Sequence, residues 1–189
     1  MLNEPLYTQC HIVDPNSLDD LRYHASQVGS FDAGVKQKGN SNVDYGARKA
    51  RIKNIQHTDY PDICQSLLEL LGLHRKRINP NEYEVLEFNY LKYEIGGHFI
   101  KHHDVIPAST DSNNGRLRIY STITLLDKSD NLEGGELLLF SDEQSNEPTI
   151  ITLERNETVL FASKLFHMVT PITQGTRDVL VSWIYQKNA

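Results

Sequence analysis

From Tyr83 onward the sequence alternates with a period of two, and this constrains the fold more than any other feature of the chain. Successive strand side chains point to opposite faces, so alternation predicts strands packed on a common core. "YEVLEFNYLKYEI" puts Val85, Glu87, Asn89 and Leu91 on one face and Leu86, Phe88, Tyr90 and Lys92 on the other. "LRIYSTITLLD", "GELLLFSD", "TIITLE", "ETVLFAS" and "RDVLVSWIYQ" are further strand candidates, rich in β-branched and aromatic residues. Turn chemistry separates them at Asn113-Asn114-Gly115, Gly134-Gly135, Arg155-Asn156 and Gln174-Gly175.

Before Tyr83 the pattern is mixed. "PNSLDDLRYHAS" predicts a helix through Leu18 and Leu21, with start signals in Pro15, Asn16 and Ser17. "YPDICQSLLELLGLH" predicts a second, with Ile63, Leu67, Leu68, Leu70 and Leu71 as its apolar face and Gly72 closing it. Between them the polar stretch from Val28 to Lys49 reads as a loop or a weak hairpin. This order predicts an α+β fold, a double-stranded β-helix (jelly-roll) core of about eight strands with supporting N-terminal helices. At 189 residues one domain is expected over 1–189, with 1–82 as helical support and loop region and 83–187 as the jelly-roll core.

A net charge of −6 argues against a nucleic-acid partner, which normally meets a basic face. The run "ARKARIK" (47–53) concentrates four positive charges and reads either as a solvated strand or loop or as a local basic patch. Cys10 and Cys64 match no metal or redox spacing and form no disulfide framework. The N-terminus has no signal-peptide pattern, and no run of about 18 apolar residues marks a membrane span. A cytoplasmic protein with no membrane partner is the expectation.

The chemistry concentrates in "YEIGGHFIKHHD" (93–104). If "HHD" ends a strand, His102 and Asp104 share a face and His103 points away, while His98 is a polar strand-start residue with no metal role. A histidine and a carboxylate side by side are two-thirds of the 2-His-1-carboxylate triad that leaves open positions on Fe(II). Only one histidine follows residue 104, His167, and the intervening length leaves room for several strands. Ten residues further on, Arg177 opens an apolar strand. Facing a barrel interior it needs an anion, either a protein carboxylate or the distal carboxylate of a dicarboxylic cosubstrate.

The stretch from about Tyr83 to Tyr185 resembles the Fe(II)/2-oxoglutarate-dependent dioxygenases, within them the prolyl 4-hydroxylase-like branch. The motif is Tyr93-x-x-Gly96-x-x-Phe99-x-x-His102-x-Asp104, then Arg118 opening a strand, "EGGEL" at 133–137, His167, Pro171, Gly175, Arg177 and Trp183. "FHMVTPITQGTR" is also similar to the C-terminal motif of bacterial hydroxylases of that superfamily. The resemblance implies that His102, Asp104 and His167 are the catalytic metal ligands and that Arg177 pairs with the distal carboxylate of 2-oxoglutarate. It implies that Tyr93 helps hold the cosubstrate, and that O2 and a reductant such as ascorbate take part. Trp183 is expected to pack near the site. Arg118 either points at substrate or pairs with a surface acid. Many prolyl 4-hydroxylases carry a threonine after "GGE"; here Leu137 stands there and Leu125 is also apolar, so the distal carboxylate rests mainly on Arg177.

The reaction implied is hydroxylation of a C–H bond with release of succinate and CO2, first on a prolyl residue of a protein or peptide. Another protein side chain or a free amino acid is the alternative. Asp104 argues against halogenation, since related halogenases vacate that position for chloride. Nucleic-acid demethylation is disfavoured because oxygenases of that branch carry an arginine where this chain has Trp183. An inactive jelly-roll binding module is disfavoured by the intact set of His102, Asp104, His167 and Arg177. "VIPASTDSNNGR" (105–116) and the Val28 to Lys49 segment are the candidate lids.

Overall fold

The structure is a computed structural model and describes residues 5–27, 29–32, 35–37, 40–42, 44–76, 78–105 and 116–187. Eight strands lie between Tyr83 and Gln186: β7 (Tyr83–Tyr93), β8 (His98–His102), β9 (Arg118–Lys128), β10 (Leu137–Phe140), β11 (Thr149–Ile151), β12 (Thr158–Ala162), β13 (Phe166–Val169) and β14 (Arg177–Gln186). Six more precede them: β1 (Tyr7–Cys10), β2 (Phe31–Asp32), β3 (Val35–Gln37), β4 (Asn40–Asn42), β5 (Arg48–Lys49) and β6 (Arg51–Ile55). A major sheet runs β1-β12-β9-β14-β7-β6-β2 and a minor sheet β11-β10-β13-β8-β5. The N-terminal third is therefore more than helical support: it adds three strands to the major sheet and one to the minor. Of the two readings left open for 28–49, the paired β3 and β4 favour the hairpin. Of the candidate lids, residues 106–115 lie outside the described residues.

Both predicted helices form, α1 over Pro15–Gln27 and α2 over Pro61–His74. At the start of α1 the Asp14 carboxylate accepts from the Ser17 N–H at 3.1 Å, and Pro15 follows where no N–H is needed. Gly72 does not close α2; the helix runs through it to His74, and the Arg75 N–H bonds back to the Leu71 carbonyl. Leu18, Leu21, Ile63, Leu67 and Leu71 bury against Phe88, Tyr90, Tyr120, Leu160 and Ile184 on the outer face of the major sheet. The inner face packs Leu91, Ile123, Leu125 and Val179 against Leu137, Leu139, Ile151 and Val169 of the minor sheet. This second core is the jelly-roll interior. Among the described residues, no helix is long and apolar enough to cross a membrane.

Strict alternation fails along β7. Trp183 faces Glu87 across the ladder, but the next residue, Ile184, faces Val85, so Leu86 is an extra residue. Such a bulge exchanges the two faces. Val85 consequently packs with Phe88 and Tyr90 beneath the helices, not with Glu87 and Leu91 as the period predicts.

Candidate metal centre

His102 and His167 are direct cross-strand partners on β8 and β13, with ring centroids 4.2 Å apart. Each imidazole is fixed by the same local device. Nδ1 of His102 bonds the Ile100 carbonyl at 2.8 Å, and Nδ1 of His167 the Leu165 carbonyl at 3.0 Å, each two residues back on its own chain. A carbonyl accepts only, so both rings carry the proton on Nδ1 and leave the Nε2 lone pair free. Asp104 lies just past the end of β8, where its N–H donates to the Ser163 carbonyl at 2.9 Å. Its carboxylate faces both rings, 3.7 Å from His102 Nε2 and 3.5 Å from His167 Nε2. Three ligand atoms thus converge within 4.8 Å of one another. Neighbouring donors around one ion at about 2.1 Å lie about 3 Å apart, so small side-chain rotations bring this set onto a metal.

The protonation states also suit a cation. Burial, reinforced by His167, pushes His102 down to about 3, so its ring is neutral. Burial alone would raise Asp104, but His167 and His102, the Ser121 hydroxyl and the nearby Trp183 indole hold it down to about 2. Neutral imidazole and ionised carboxylate are the forms that bind metal. The next layer is built as carefully. Ser121 Oγ donates to Asp104 at 2.7 Å and lies 2.9 Å from Ser163 Oγ. Phe99 stacks on His102 with centroids 3.5 Å apart, and Phe161 meets His167 edge-on at 4.9 Å. Ser163, Phe161 and the binding role of Ser121 escaped the sequence reading; inward alternation of Ser121 beside Ile123 was the one available signal for the last.

His103 turns outward and is exposed against Phe166, as period two predicts for the residue between two ligands. His98 binds two backbone carbonyls, those of Gly96 and Gly46, and is apart from the cluster.

Arg177 and Tyr93 are register partners on β14 and β7, so both face the interior. Arg177 is 6% exposed; Nη1 donates to the Gly135 carbonyl at 2.9 Å, and it makes no ion pair with a described residue. Burial lowers its pKa, opposed by Tyr93 and Glu136. A guanidinium so placed is an orphan cation that fits an incoming carboxylate. The "GGE" turn supplies the accepting carbonyl. Gly134 and Gly135 hold φ of +77° and +74°, and a Cβ on Gly134 would lie 2.1 Å from the Pro171 carbonyl oxygen. A cavity lined by Leu125, Leu137, Ile151 and Leu153 reaches Arg177; its walls are mixed, not purely apolar, because Lys128, Glu136 and Thr152 line it too, and no triad residue does.

Arg118 donates from Nη2 to Glu87 at 2.8 Å and from Nε to the Tyr185 hydroxyl at 2.9 Å, and lies 3.7 Å over the Trp183 ring. Of the two roles left open for it, the acid pairing is present, though the acid lies on the site's own face of the sheet. Trp183 packs beside Asp104 as expected.

Residues 88–185, about half of the chain, match the family profile of the 2OG-Fe(II) oxygenase superfamily. A PKHD-type hydroxylase of Gloeothece citriformis (strain PCC 7424) is 24% identical over 179 residues, covering 95% of this chain and 77% of that protein. Another, of Teredinibacter turnerae (strain ATCC 39867 / T7901), is 28% identical over 148 residues, covering 74% and 63%. Among solved structures, a Pseudomonas putida prolyl-4-hydroxylase superposes with a TM-score of 0.69 at 18% identity, over 96% of this chain and 93% of that one. A Trichoplax adhaerens prolyl hydroxylase, in complex with a hypoxia inducible factor peptide fragment, gives 0.66 at 18%, over 98% and 86%. The fold, the convergent His-Asp-His set and the match over half the length carry one conclusion: the chain belongs to the 2OG-Fe(II) oxygenase superfamily and is a dioxygenase that uses Fe(II), 2-oxoglutarate and O2.

Proposed function

We propose that this dioxygenase hydroxylates a prolyl residue of a protein or peptide, releasing succinate and CO2, as a single cytoplasmic domain over 1–189. The observation that supports it best is a buried arginine, Arg177, without a carboxylate partner among the described residues, in the same interior as three convergent groups able to bind a metal, on a fold shared with prolyl hydroxylases. In this reading the Nε2 atoms of His102 and His167 and the Asp104 carboxylate hold Fe(II). Once bound, iron and 2-oxoglutarate supply the oxidising chemistry. The chain's own work is orientation and exclusion of water. Arg177 takes the distal carboxylate by charge-assisted hydrogen bonds between the walls of Leu125 and Leu137, with Tyr93 beside it. Ser121 aims Asp104, and Phe99 and Phe161 keep the histidine rings in plane and dry. Arg118, steadied by Glu87 and Tyr185, contacts the substrate from the Trp183 side.

A second reading, hydroxylation of another side chain or of a free amino acid, uses the same residues. The hydroxylase names of the two sequence relatives specify no prolyl target. The test is to supply Fe(II), ascorbate and 2-oxoglutarate and measure succinate, with His167→Ala as control. Proline-containing peptides are then screened for a mass gain of one oxygen atom. Absence of both iron binding and succinate would refute the site assignment; oxidation of non-prolyl substrates alone would favour the second reading.

A further inference from the structure

The basic run at 47–53 is the sequence feature that the site as described leaves unused. Three of its cations have partners: Arg51 pairs with Asp32 at 2.9 Å, Lys49 Nζ donates to the Ile95 carbonyl at 3.2 Å, and Lys53 Nζ to the His24 carbonyl at 2.9 Å. Arg48 differs. It is half-buried, its Nε is shut off from solvent without a hydrogen bond, and it makes no ion pair with a described residue. What holds it is an aromatic ring. Arg48 and Phe99 are cross-strand partners on β5 and β8, so their side chains share a face, and the guanidinium lies 4.6 Å over the Phe99 ring. His102 is stacked on that ring too, at 3.5 Å, which leaves the guanidinium the opposite face. Arg48 thus stands one aromatic layer from the triad, on the strand that forms the edge of the minor sheet among the described residues.

A guanidinium held over a ring spends no hydrogen bond on it, and its terminal Nη edge matches the two oxygens of a carboxylate. Acids on either side of it are engaged elsewhere: Asp104, beyond His102, with Ser121 and the histidines, and Asp44, four residues before it, with the Gly46 N–H at 2.9 Å. Arg177 already accounts for the distal carboxylate of the cosubstrate. With a net charge of −6, the protein as a whole does not draw in an acidic molecule, so recognition of one has to be local. We propose that Arg48 is a specificity-determining residue that takes a carboxylate of the substrate, either an acidic side chain beside the hydroxylated residue of a peptide or the α-carboxylate of a C-terminal or free amino acid. This rests on the hydroxylase reading of the same site.

The test uses the full chain loaded with Zn(II) and 2-oxoglutarate, which cannot turn over, and follows the fluorescence of Trp183, the sole tryptophan. The probes are an end-blocked Gly-Ala-Pro-Glu-Gly peptide against its Gln twin, and Gly-Ala-Pro with a free C-terminal carboxylate against its amide. At least one carboxylate probe should bind about tenfold more tightly than its twin. In Arg48→Met, which keeps the apolar stack on Phe99, that ratio should fall below about twofold, while the fluorescence response to 2-oxoglutarate persists. Arg48→Lys, a charge without the fork, should give an intermediate ratio. The arm that shows the preference identifies the source of the carboxylate. No preference in either arm, including no binding of any probe, overturns the proposal, as does a preference that Arg48→Met retains. Repeating the set with alanine in place of proline separates the two readings, since a carboxylate preference that survives this change upholds Arg48 while counting against a prolyl target.

Discussion

Replacing Arg177 with methionine should have effects of opposite sign with and without cosubstrate. In the free protein the guanidinium is 6% exposed, and among the described residues its one hydrogen-bond acceptor is the Gly135 carbonyl. Burying a charge without its counter-ion costs several kcal/mol. Arg177→Met relieves that cost, fills similar volume among Leu125, Leu137 and Val179, and forfeits a carbonyl interaction of about 1–3 kcal/mol. The metal-free, cosubstrate-free protein should therefore melt within about 4 °C of the wild type or above it, at about 2–4 °C per kcal/mol for a chain of this size. With Zn(II) and 2-oxoglutarate the sign reverses. Truncating one partner of a buried, hydrogen-bonded charge pair costs about 2–5 kcal/mol, which weakens 2-oxoglutarate by about 30- to 4,000-fold. Calorimetric titration and thermal melts, each with and without 2-oxoglutarate, measure both halves. If Arg177→Met melts 10 °C or more below wild type (far outside the ~4 °C window) and yet binds 2-oxoglutarate within about threefold, Arg177 is a structural residue and the reasoning fails.

Ser121→Ala removes the hydroxyl that aims Asp104, and should weaken Zn(II) or Mn(II) binding about 10- to 100-fold while the apo melting temperature barely moves; calorimetry that finds unchanged affinity would show that the histidines alone orient the carboxylate. Gly134→Ala forces a Cβ onto the Pro171 carbonyl at positive φ and should destabilise by about 2–4 kcal/mol in denaturant titrations. Asp178, buried with Tyr90 donating at 2.6 Å and its Oδ1 unpartnered, has its pKa raised by burial. A raised folded-state pKa means the native wild type gains stability as pH falls toward it. Asp178→Asn should therefore equal or exceed wild type in melting temperature at pH 8, with the advantage shrinking as the pH is lowered to about 5; a constant deficit at every pH would refute the assignment.

How far the sequence could be read follows from where the period of two holds. From His102 to Asp104 alternation holds just past the end of β8, so the convergence of these two side chains and the outward His103 were legible from spacing alone. Three residues earlier it fails. Val169 faces Phe99 and His167 faces His102, so β8 carries an extra residue between them. By alternation Phe99 and His102 would point apart, yet they stack at 3.5 Å. The aromatic shelter of the triad, and with it the place of Arg48, was thus invisible to pattern reading. The strands of the N-terminal third were hidden for another reason. β5 and β6 lie in a run dense with charge, where solvation and edge pairing compete on equal terms in the sequence.

The same bulges explain why this core can be both a packed interior and a site. Tyr185 faces Arg118 on β9, while Ile184 faces Tyr120, so Ile119 is an extra residue and Arg118 crosses from the helix-covered face to the interior. On β7 Glu87 keeps the interior face with Leu91 and Tyr93 by regular alternation, while the extra residue Leu86 sends Val85 to the helix-covered face. Without the extra residue Ile119, Arg118 would point into the apolar layer beneath α1 and α2, away from Glu87, where a buried cation finds no counter-ion. With it, the Arg118–Glu87 pair meets Tyr185 and Trp183 at the level of Asp104. Regular alternation builds the walls from Ile123, Leu125, Leu137 and Val179; its interruption at Ile119 delivers Arg118. A change that shifts register at Ile119 should therefore harm substrate recognition more than metal binding, because His102, Asp104 and His167 hang on β8, β13 and the turn after β8. Deleting Ile119 is the direct trial: Zn(II) affinity should stay within about threefold of wild type while peptide binding is lost, and equal loss of both would mean that the two sheets do not carry these tasks separately.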